Sequence, residues 1–175
     1  MIKISQKQNK MITPKKLNKG AVEALSLRLK DEQDAYRMYR YFSNCLRNSG
    51  YLIAATYFEA EAIDELGHAH ILEKYATDWN TELEFLSLSA PKEAEGMVEI
   101  FEAAYKFEYY LLEEYSKNIV ECLEEGDMST FNFLQQFIDI QTKAVAEYSD
   151  KLNMLALFDQ TDKNWLFNFE KKLVK

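Results

Sequence analysis

The feature that most constrains this 175-residue chain is a set of four helix-length apolar stripes, each interrupted by polar side chains. Within a stripe the residues step by three or four positions, which is the spacing of one face of an α-helix. The interruptions are, in chain order, Glu32, Glu65 with His68, Glu108, and Gln141. The pattern predicts four long helices that pack their apolar faces together with these polar groups inside.

Glycine, proline and short polar runs mark the ends of the predicted helices. Gly20 precedes the first helix, and short polar connections containing Gly50 and Gly126 join helices one to two and three to four. A longer segment from Asp78 to Pro91 lacks a helical period and can run the length of a bundle. Helices are therefore expected near residues 20–47, 51–77, 92–124 and 128–158.

Hairpin, long crossover and hairpin together are typical of an all-α four-helix bundle with one long crossover. After Asp159 an amphipathic segment predicts a short fifth C-terminal helix, with Thr161 or Asp162 as its N-cap. Its apolar residues are Trp165, Leu166, Phe167, Phe169 and Leu173. So short a helix needs docking to be stable. We therefore expect a closed oligomer to cover these residues.

Composition indicates one acidic globular domain, since 47% of the residues are hydrophobic and 29% are charged. Residues 1–19 hold six lysines and no acid, and are expected to form a basic N-terminal tail. Residues 20–175, the expected folded domain, carry 15 basic and 29 acidic groups, or −14. This charge is unlike that of a nucleic-acid binder. Without a signal-peptide core or a run of roughly 18 apolar residues, we expect a cytoplasmic protein with no membrane or nucleic-acid partner.

Buried carboxylates require positive charge beside them. An ionised carboxylate in a medium of low dielectric costs several kcal/mol, and three close together also repel one another. Two metal ions, with Glu65 as the bridge, would supply that charge. A single nitrogen ligand from His68 among several oxygens favours iron or manganese over zinc.

Simpler interpretations of the same residues stay open at the level of sequence. Glu32 or Glu108 could pair with a buried arginine, and Gln141 could be a satisfied core amide. Tyr39, two turns after Glu32, fits core packing and a redox-active neighbour of metals equally well.

Four further residues are expected to lie outside this site. His70 points to another face than His68, which places it at the surface or at an interface. Cys45 and Cys122 fit reduced thiols packed as small hydrophobes. Gly67 in mid-helix indicates close packing, because glycine there costs roughly 1 kcal/mol relative to alanine.

An ordered set of motifs runs from helix one to helix four: Glu32 with Tyr39, Glu65-Leu66-Gly67-His68, Tyr105-Lys106-Phe107-Glu108, Thr130-Phe131-Asn132-Phe133-Leu134-Gln135, and Gln141-Thr142-Lys143-Ala144. With these motifs the chain resembles the non-haem ferritins from about Leu25 to Leu173. The resemblance implies a ferritin-like fold and a ferroxidase centre with two irons per subunit. The implied ligands are Glu32, Glu65 and His68 for one iron and Glu65, Glu108 and Gln141 for the other, with Tyr39 added as a candidate catalytic neighbour.

The resemblance also implies a chemistry and an assembly. Two Fe(II) ions are oxidised by dioxygen or peroxide, and the Fe(III) product enters a mineral core inside a shell of twenty-four subunits. The first interpretation is therefore an iron-storage ferroxidase that self-associates. The alternatives are a di-iron or di-manganese oxidase of smaller oligomeric state that stores no mineral, and a purely structural bundle.

Three departures from related proteins narrow the expectation. Bacterioferritins carry a second Glu-x-x-His motif on helix four, where this chain has Gln141 and Ala144. The haem-binding methionine of bacterioferritin falls at Leu66, so no haem is expected. Residues that build a third iron site in many bacterial ferritins correspond to Ile140, Lys143 and Ala144. Two tightly bound irons are therefore expected and not three.

Overall fold

The computed structural model describes residues 12–94, 96–157, 159 and 161–173 of the chain. These residues form five α-helices and no strand: α1 Lys19–Asn48, α2 Leu52–Asp78, α3 Met97–Glu124, α4 Met128–Leu155 and α5 Lys163–Glu170. The all-α fold predicted from the stripes is confirmed. Most of the predicted basic tail lies outside the described residues. Among those that are described, no helix has a stretch long and apolar enough to cross a membrane.

The first three long helices end with the same backbone closure. After α1, the N–H of Tyr51 donates to the carbonyl of Leu46 at 2.9 Å, and corresponding bonds close the ends of α2 and α3. Such a closure requires a residue with positive φ, which Gly50 (88°), Asn80 (50°) and Gly126 (73°) provide. The closures after α1 and α3 fold consecutive helices back as the two predicted hairpins.

The crossover between α2 and α3 lies along α1. The hydroxyl of Ser26 accepts a hydrogen bond from the Glu84 N–H at 2.9 Å, and Asp34 accepts one from the Ser89 N–H at 2.8 Å. Both contacts advance along α1 in the same direction as the chain, so α3 starts at the same end of the bundle as α2. The predicted long crossover is confirmed.

Two predicted helix ends are displaced. Helix α3 starts at Met97 instead of residue 92, because Gly96 is extended (φ −159°, ψ 166°) and Ala94 is buried before the helix begins. Helix α4 ends at Leu155 instead of residue 158, because the chain turns there toward α5. Residue 158 itself lies outside the described residues.

The fifth helix docks on its own chain. Leu166, Phe169 and Leu173 are buried in the apolar cluster at one end of the bundle, and the ring of Phe169 meets that of Phe101 edge-on at 5.3 Å. Asp162 is the N-cap, accepting from the Asn164 N–H. The expectation that another subunit must cover the apolar residues of this segment is therefore wrong for Leu166, Phe169 and Leu173, since the bundle of the same chain covers them.

The core consists of two apolar clusters with a polar layer between them. One cluster contains Tyr39, Phe58, Phe101 and Tyr148, and the other contains Leu29, Leu72, Leu111 and Phe137. On every long helix the chain passes from one cluster to the other through the polar interruption seen in sequence. The four interruptions thus share one level of the bundle.

Candidate metal centre

The polar layer is built from the middle of all four long helices. Glu32 on α1, Glu65 on α2, Glu108 on α3 and Gln141 on α4 are all at most 4% exposed. His68 follows Glu65 by one turn and is partly buried. Helical spacing alone accounts for this placement, because each polar residue continues the apolar stripe of its helix.

Glu32, Glu65 and His68 meet tightly enough to hold one ion. Their candidate ligand atoms all lie within 4.8 Å of one another. Nδ1 of His68 is 3.0 Å from Oε2 of Glu65 and 3.5 Å from Oε2 of Glu32. Two carboxylate oxygens and one imidazole nitrogen are a ligand set suited to iron or manganese.

Each outer glutamate of the layer is held by a tyrosine from the opposite helix. The hydroxyl of Tyr115 on α3 donates a short hydrogen bond to Oε1 of Glu32 on α1. The hydroxyl of Tyr39 on α1 donates one to Oε1 of Glu108 on α3. Burial, together with the adjacent carboxylates, raises the pKa of both tyrosines well above its usual value, so both hydroxyls keep their protons and act as donors.

Four further polar atoms of the layer lack a hydrogen-bond partner among the described residues. These buried atoms are Oε2 of Glu32, Oε2 of Glu108, and both Oε1 and Nε2 of Gln141. Leaving such a group unsatisfied costs about 1–3 kcal/mol, and more when it is charged. The interpretation of Gln141 as a satisfied core amide therefore does not hold. The unbonded oxygens of Glu32, Glu108 and Gln141 are suited to act as ligands to cations.

The arginine alternative also fails for Glu32 and Glu108. A buried arginine is present in Arg28, but its Nη2 lies 2.7 Å from Asp31 and 3.6 Å from Glu114. Its guanidinium instead stands 5.7 Å from the ring centre of Tyr115. No arginine among the described residues neutralises the layer directly.

Burial changes the protonation of the layer. It raises the pKa of Glu65, with repulsion from Glu108 adding to the effect. It raises the pKa of Glu108 to about 8, although the hydrogen bond from Tyr39 opposes the change. Burial alone would lower the pKa of His68, but the bonds and charges of Glu32 and Glu65 outweigh it and raise that pKa to about 10. Protons thus occupy part of this layer at neutral pH, and a cation must displace them.

The sequence alone did not lead us to assign Tyr115 to the site. The spacing between glutamate and tyrosine in the sequence could have identified it. Glu32 precedes Tyr39 by seven positions, and Glu108 precedes Tyr115 by the same seven. Two helical turns separate each pair, so the repeated spacing indicates that both tyrosines face the layer.

The residues expected outside the site lie as follows. His70 is exposed, Cys45 and Cys122 are free thiols, and burial raises the pKa of Cys122 to about 11. Gly67 is exposed and a Cβ built there would meet no atom within 4 Å, so the expected close packing is wrong within this chain.

The residues expected not to form a third iron site lie on α4 beside the layer. Lys143 is exposed, and Ile140 and Ala144 are half-buried without a side-chain donor. Leu66, where bacterioferritin has its haem ligand, is partly exposed.

Four long helices with one crossover and a carboxylate, histidine and amide layer define the class of helical bundles that bind metals between their helices. The profile of the ferritin family, described as a ferritin-like domain, matches residues 22–158, and the chain belongs to this family. Membership confirms the resemblance seen in sequence. It places the chain among iron-binding proteins of the iron-storage and ferroxidase type in general.

Individual relatives agree along most of their length. A bacterial non-heme ferritin of Staphylococcus aureus (strain MRSA252) is 26% identical over 158 residues, covering 90% of this chain and 95% of that protein. One of Campylobacter jejuni is 26% identical over 159 residues, covering 85% and 95%. In fold, the chain is similar to the open pore ferritin of the archaeon Archaeoglobus fulgidus, with a TM-score of 0.85 at 22% identity over 90% of this chain and 97% of that one.

Proposed function

We propose that this chain is the cytoplasmic subunit of an iron-storing shell, and that it oxidises Fe(II) at a di-iron centre in the polar layer. The observation that carries the proposal is the set of buried oxygen atoms of Glu32, Glu108 and Gln141 that lack a hydrogen-bond partner among the described residues, in the same layer as the Glu65–His68 pair. In a chain of the ferritin family, iron is the substrate that such a layer would take.

In this proposal Glu32, Glu65 and His68 bind one Fe(II), and Glu65, Glu108 and Gln141 bind the second. Both positions share Glu65, which holds the ions as a pair. Each pair of Fe(II) ions supplies two electrons, which reduce dioxygen to hydrogen peroxide or peroxide to water. His68 and Glu108 release their protons when iron binds, which makes protons available for that reduction. Tyr39 keeps Glu108 oriented as the iron changes charge.

The second position should be the weaker one. Each position has one terminal glutamate and the shared Glu65, so the two differ in their neutral ligand. The amide oxygen of Gln141 is a weaker donor than the imidazole nitrogen of His68, and it supplies less negative charge than a glutamate at that place would. No third iron is expected beside α4, since Lys143 would repel it. Crystals soaked anaerobically in Fe(II) for increasing times should show two anomalous peaks, with the position at His68 filling first. A well-occupied third peak near α4 would contradict the assignment.

Activity and storage are tested separately. An anaerobic Fe(II) titration should saturate near two ions per subunit, and added oxygen should then oxidise them rapidly. Because the chain has a mass of 20.5 kDa, a shell of twenty-four copies should elute near half a megadalton. Rapid oxidation by a much smaller assembly without mineral would favour the alternative, a non-storage di-iron or di-manganese oxidase. Metal analysis of the purified protein distinguishes iron from manganese. If the protein contains neither metal, the structural bundle is favoured.

A further inference from the structure

The two tyrosine contacts of the polar layer are reciprocal. Tyr115 extends from α3 to Glu32 on α1, and Tyr39 extends from α1 to Glu108 on α3. In both cases the tyrosine follows the glutamate of its own helix by seven residues. The two halves of the layer therefore repeat one arrangement, in which a glutamate and a tyrosine exchange partners between two helices.

Each tyrosine occupies one carboxylate oxygen and leaves the other available. On both glutamates the bonded atom is Oε1, and on both the atom without a hydrogen-bond partner among the described residues is Oε2. On Glu32 this Oε2 lies on the side of His68, 3.5 Å from its Nδ1. A hydrogen bond to Oε1 thus restricts the rotation of the carboxylate and presents one oxygen to a cation.

The two tyrosine rings are themselves held firmly, by different neighbours. The ring of Tyr115 is stacked on Phe137 at 4.7 Å, with the guanidinium of Arg28 5.7 Å from its centre. Phe137 also meets the ring of His68 at 6.2 Å. Phe137 therefore contacts the rings of both Tyr115 and His68 and helps to orient them. Tyr39 instead packs against Phe58, at 5.7 Å, in the other cluster.

We propose that Tyr115 is the positioning residue for the Glu32 half of the centre, and that Tyr39 has the same role for the Glu108 half. Each tyrosine then sets the affinity of a different iron position. The inference rests on the proposed function, because it assumes that Glu32 and Glu108 are terminal ligands to two separate ions.

The test is made on the assembled protein with Co(II), because oxygen does not oxidise this ion as readily as it oxidises Fe(II). Calorimetric titration gives the two affinities, and anomalous scattering from soaked crystals assigns them to positions. Tyr115→Phe should weaken the position at Glu32 and His68 by about ten- to a hundredfold and leave the other unchanged. Tyr39→Phe should do the reverse. Tyr75→Phe is the matched control, because its hydroxyl bonds Thr130 away from the layer, and it should change neither.

A merely structural role predicts a different result. Loss of packing would lower the unfolding temperature and weaken both positions together, and that outcome, or two unchanged affinities in Tyr115→Phe, overturns the inference. Wild-type protein that fails to bind two Co(II) ions would instead contradict the di-metal function itself, and the inference with it. The two failures are therefore distinguishable from the wild-type titration alone.

A second measurement does not depend on how well Tyr115→Phe folds. In Tyr39→Phe, Tyr115 is the one tyrosine among the described residues that still donates to a carboxylate of the layer. The first equivalent of Co(II) should then perturb the ultraviolet absorption of a buried tyrosine. An unchanged tyrosine spectrum would show that Glu32 does not couple Tyr115 to the metal, and would overturn the inference.

Discussion

The two halves of the polar layer have matching geometry and different chemistry. Both contain a glutamate held at Oε1 by a tyrosine from the facing helix. One half adds His68 on α2, whereas the corresponding place on α4, three residues after Gln141, is Ala144. The comparison shows that the backbone repeats one glutamate–tyrosine arrangement in both halves. Under the proposed function, the residues on α2 and α4 would then decide how strongly each half binds a cation.

The largest effect is expected from removing the shared ligand and the nitrogen ligand together. Glu65→Ala with His68→Ala should abolish rapid Fe(II) oxidation in both halves, because no bridge remains. Without metal the stability should change little, because the loss of Glu65 relieves buried repulsion while the loss of protonated His68 removes its pairing with Glu32. Stopped-flow absorbance after mixing with oxygen measures the rate, and thermal unfolding measures stability.

His70→Ala is the control for that double variant, because His70 lies on the same helix and is exposed. It should oxidise Fe(II) at the wild-type rate. Wild-type oxidation by the double variant would remove Glu65 and His68 from the centre.

The difference between the halves should shrink in Gln141→Glu. A carboxylate beside the second position should tighten that position by about tenfold or more, equivalent to about 1.4 kcal/mol. The same charge, buried without metal, should lower the unfolding temperature of the metal-free protein. Metal titration and thermal unfolding of one sample thus give effects of opposite sign.

Gln135→Glu is the matched control, because Gln135 is an exposed glutamine on the same helix. It should change neither quantity appreciably. Unchanged affinity in Gln141→Glu would show that this residue does not face the second iron.

Protonation provides a test without substitution. The pKa of Glu108 is raised from 4.5 to about 8 by burial, and that of His68 from 6.5 to about 10 by Glu32 and Glu65 against the opposing effect of burial. Between about pH 6.5 and pH 8 the folded metal-free protein therefore binds more protons than the unfolded chain. Its free energy of unfolding should fall as the pH rises through this window.

Metal binding at neutral pH should correspondingly release protons. Calorimetry in buffers of different ionisation enthalpy measures that release, and His68→Ala should reduce it. Stability that rises with pH across the same window, or metal binding without proton release, would contradict the assigned protonation.

The smallest effect is expected far from the layer, at the N-terminus of α2. Glu170 of α5 accepts hydrogen bonds from the N–H groups of Ile53 and Ala54, at 3.1 and 3.3 Å. Glu170→Gln should cost about 1 kcal/mol of stability, as the loss of a charged helix cap does. The ratio of the two metal affinities should not change. A changed ratio would show that the difference between the halves depends on how α2 is anchored and not only on its ligands.

Much of this architecture was predictable because it depends on local spacing. The periodic stripes indicated four long helices, and the interruptions at Glu32, Glu65, Glu108 and Gln141 fell at one level of the bundle. Helix ends at Gly50 and Gly126 followed from the backbone freedom of glycine. The start of α3 was misplaced, because residues 92–94 are not helical, Ala94 is buried and Gly96 is extended, so tertiary packing outweighed the local helix signal.

The sequence by itself determined which side chains face inward, because helical periodicity links neighbours three or four residues apart. Only the tertiary structure decided which of them touch. Tyr115 meets Glu32 across 83 positions of the chain, and Glu170 meets Ala54 across 116. Arg28, which could have neutralised the layer, is instead paired with Asp31. Such contacts depend on how helices pack against one another, and a pattern within one helix carries no information about the rotation and height of its neighbour.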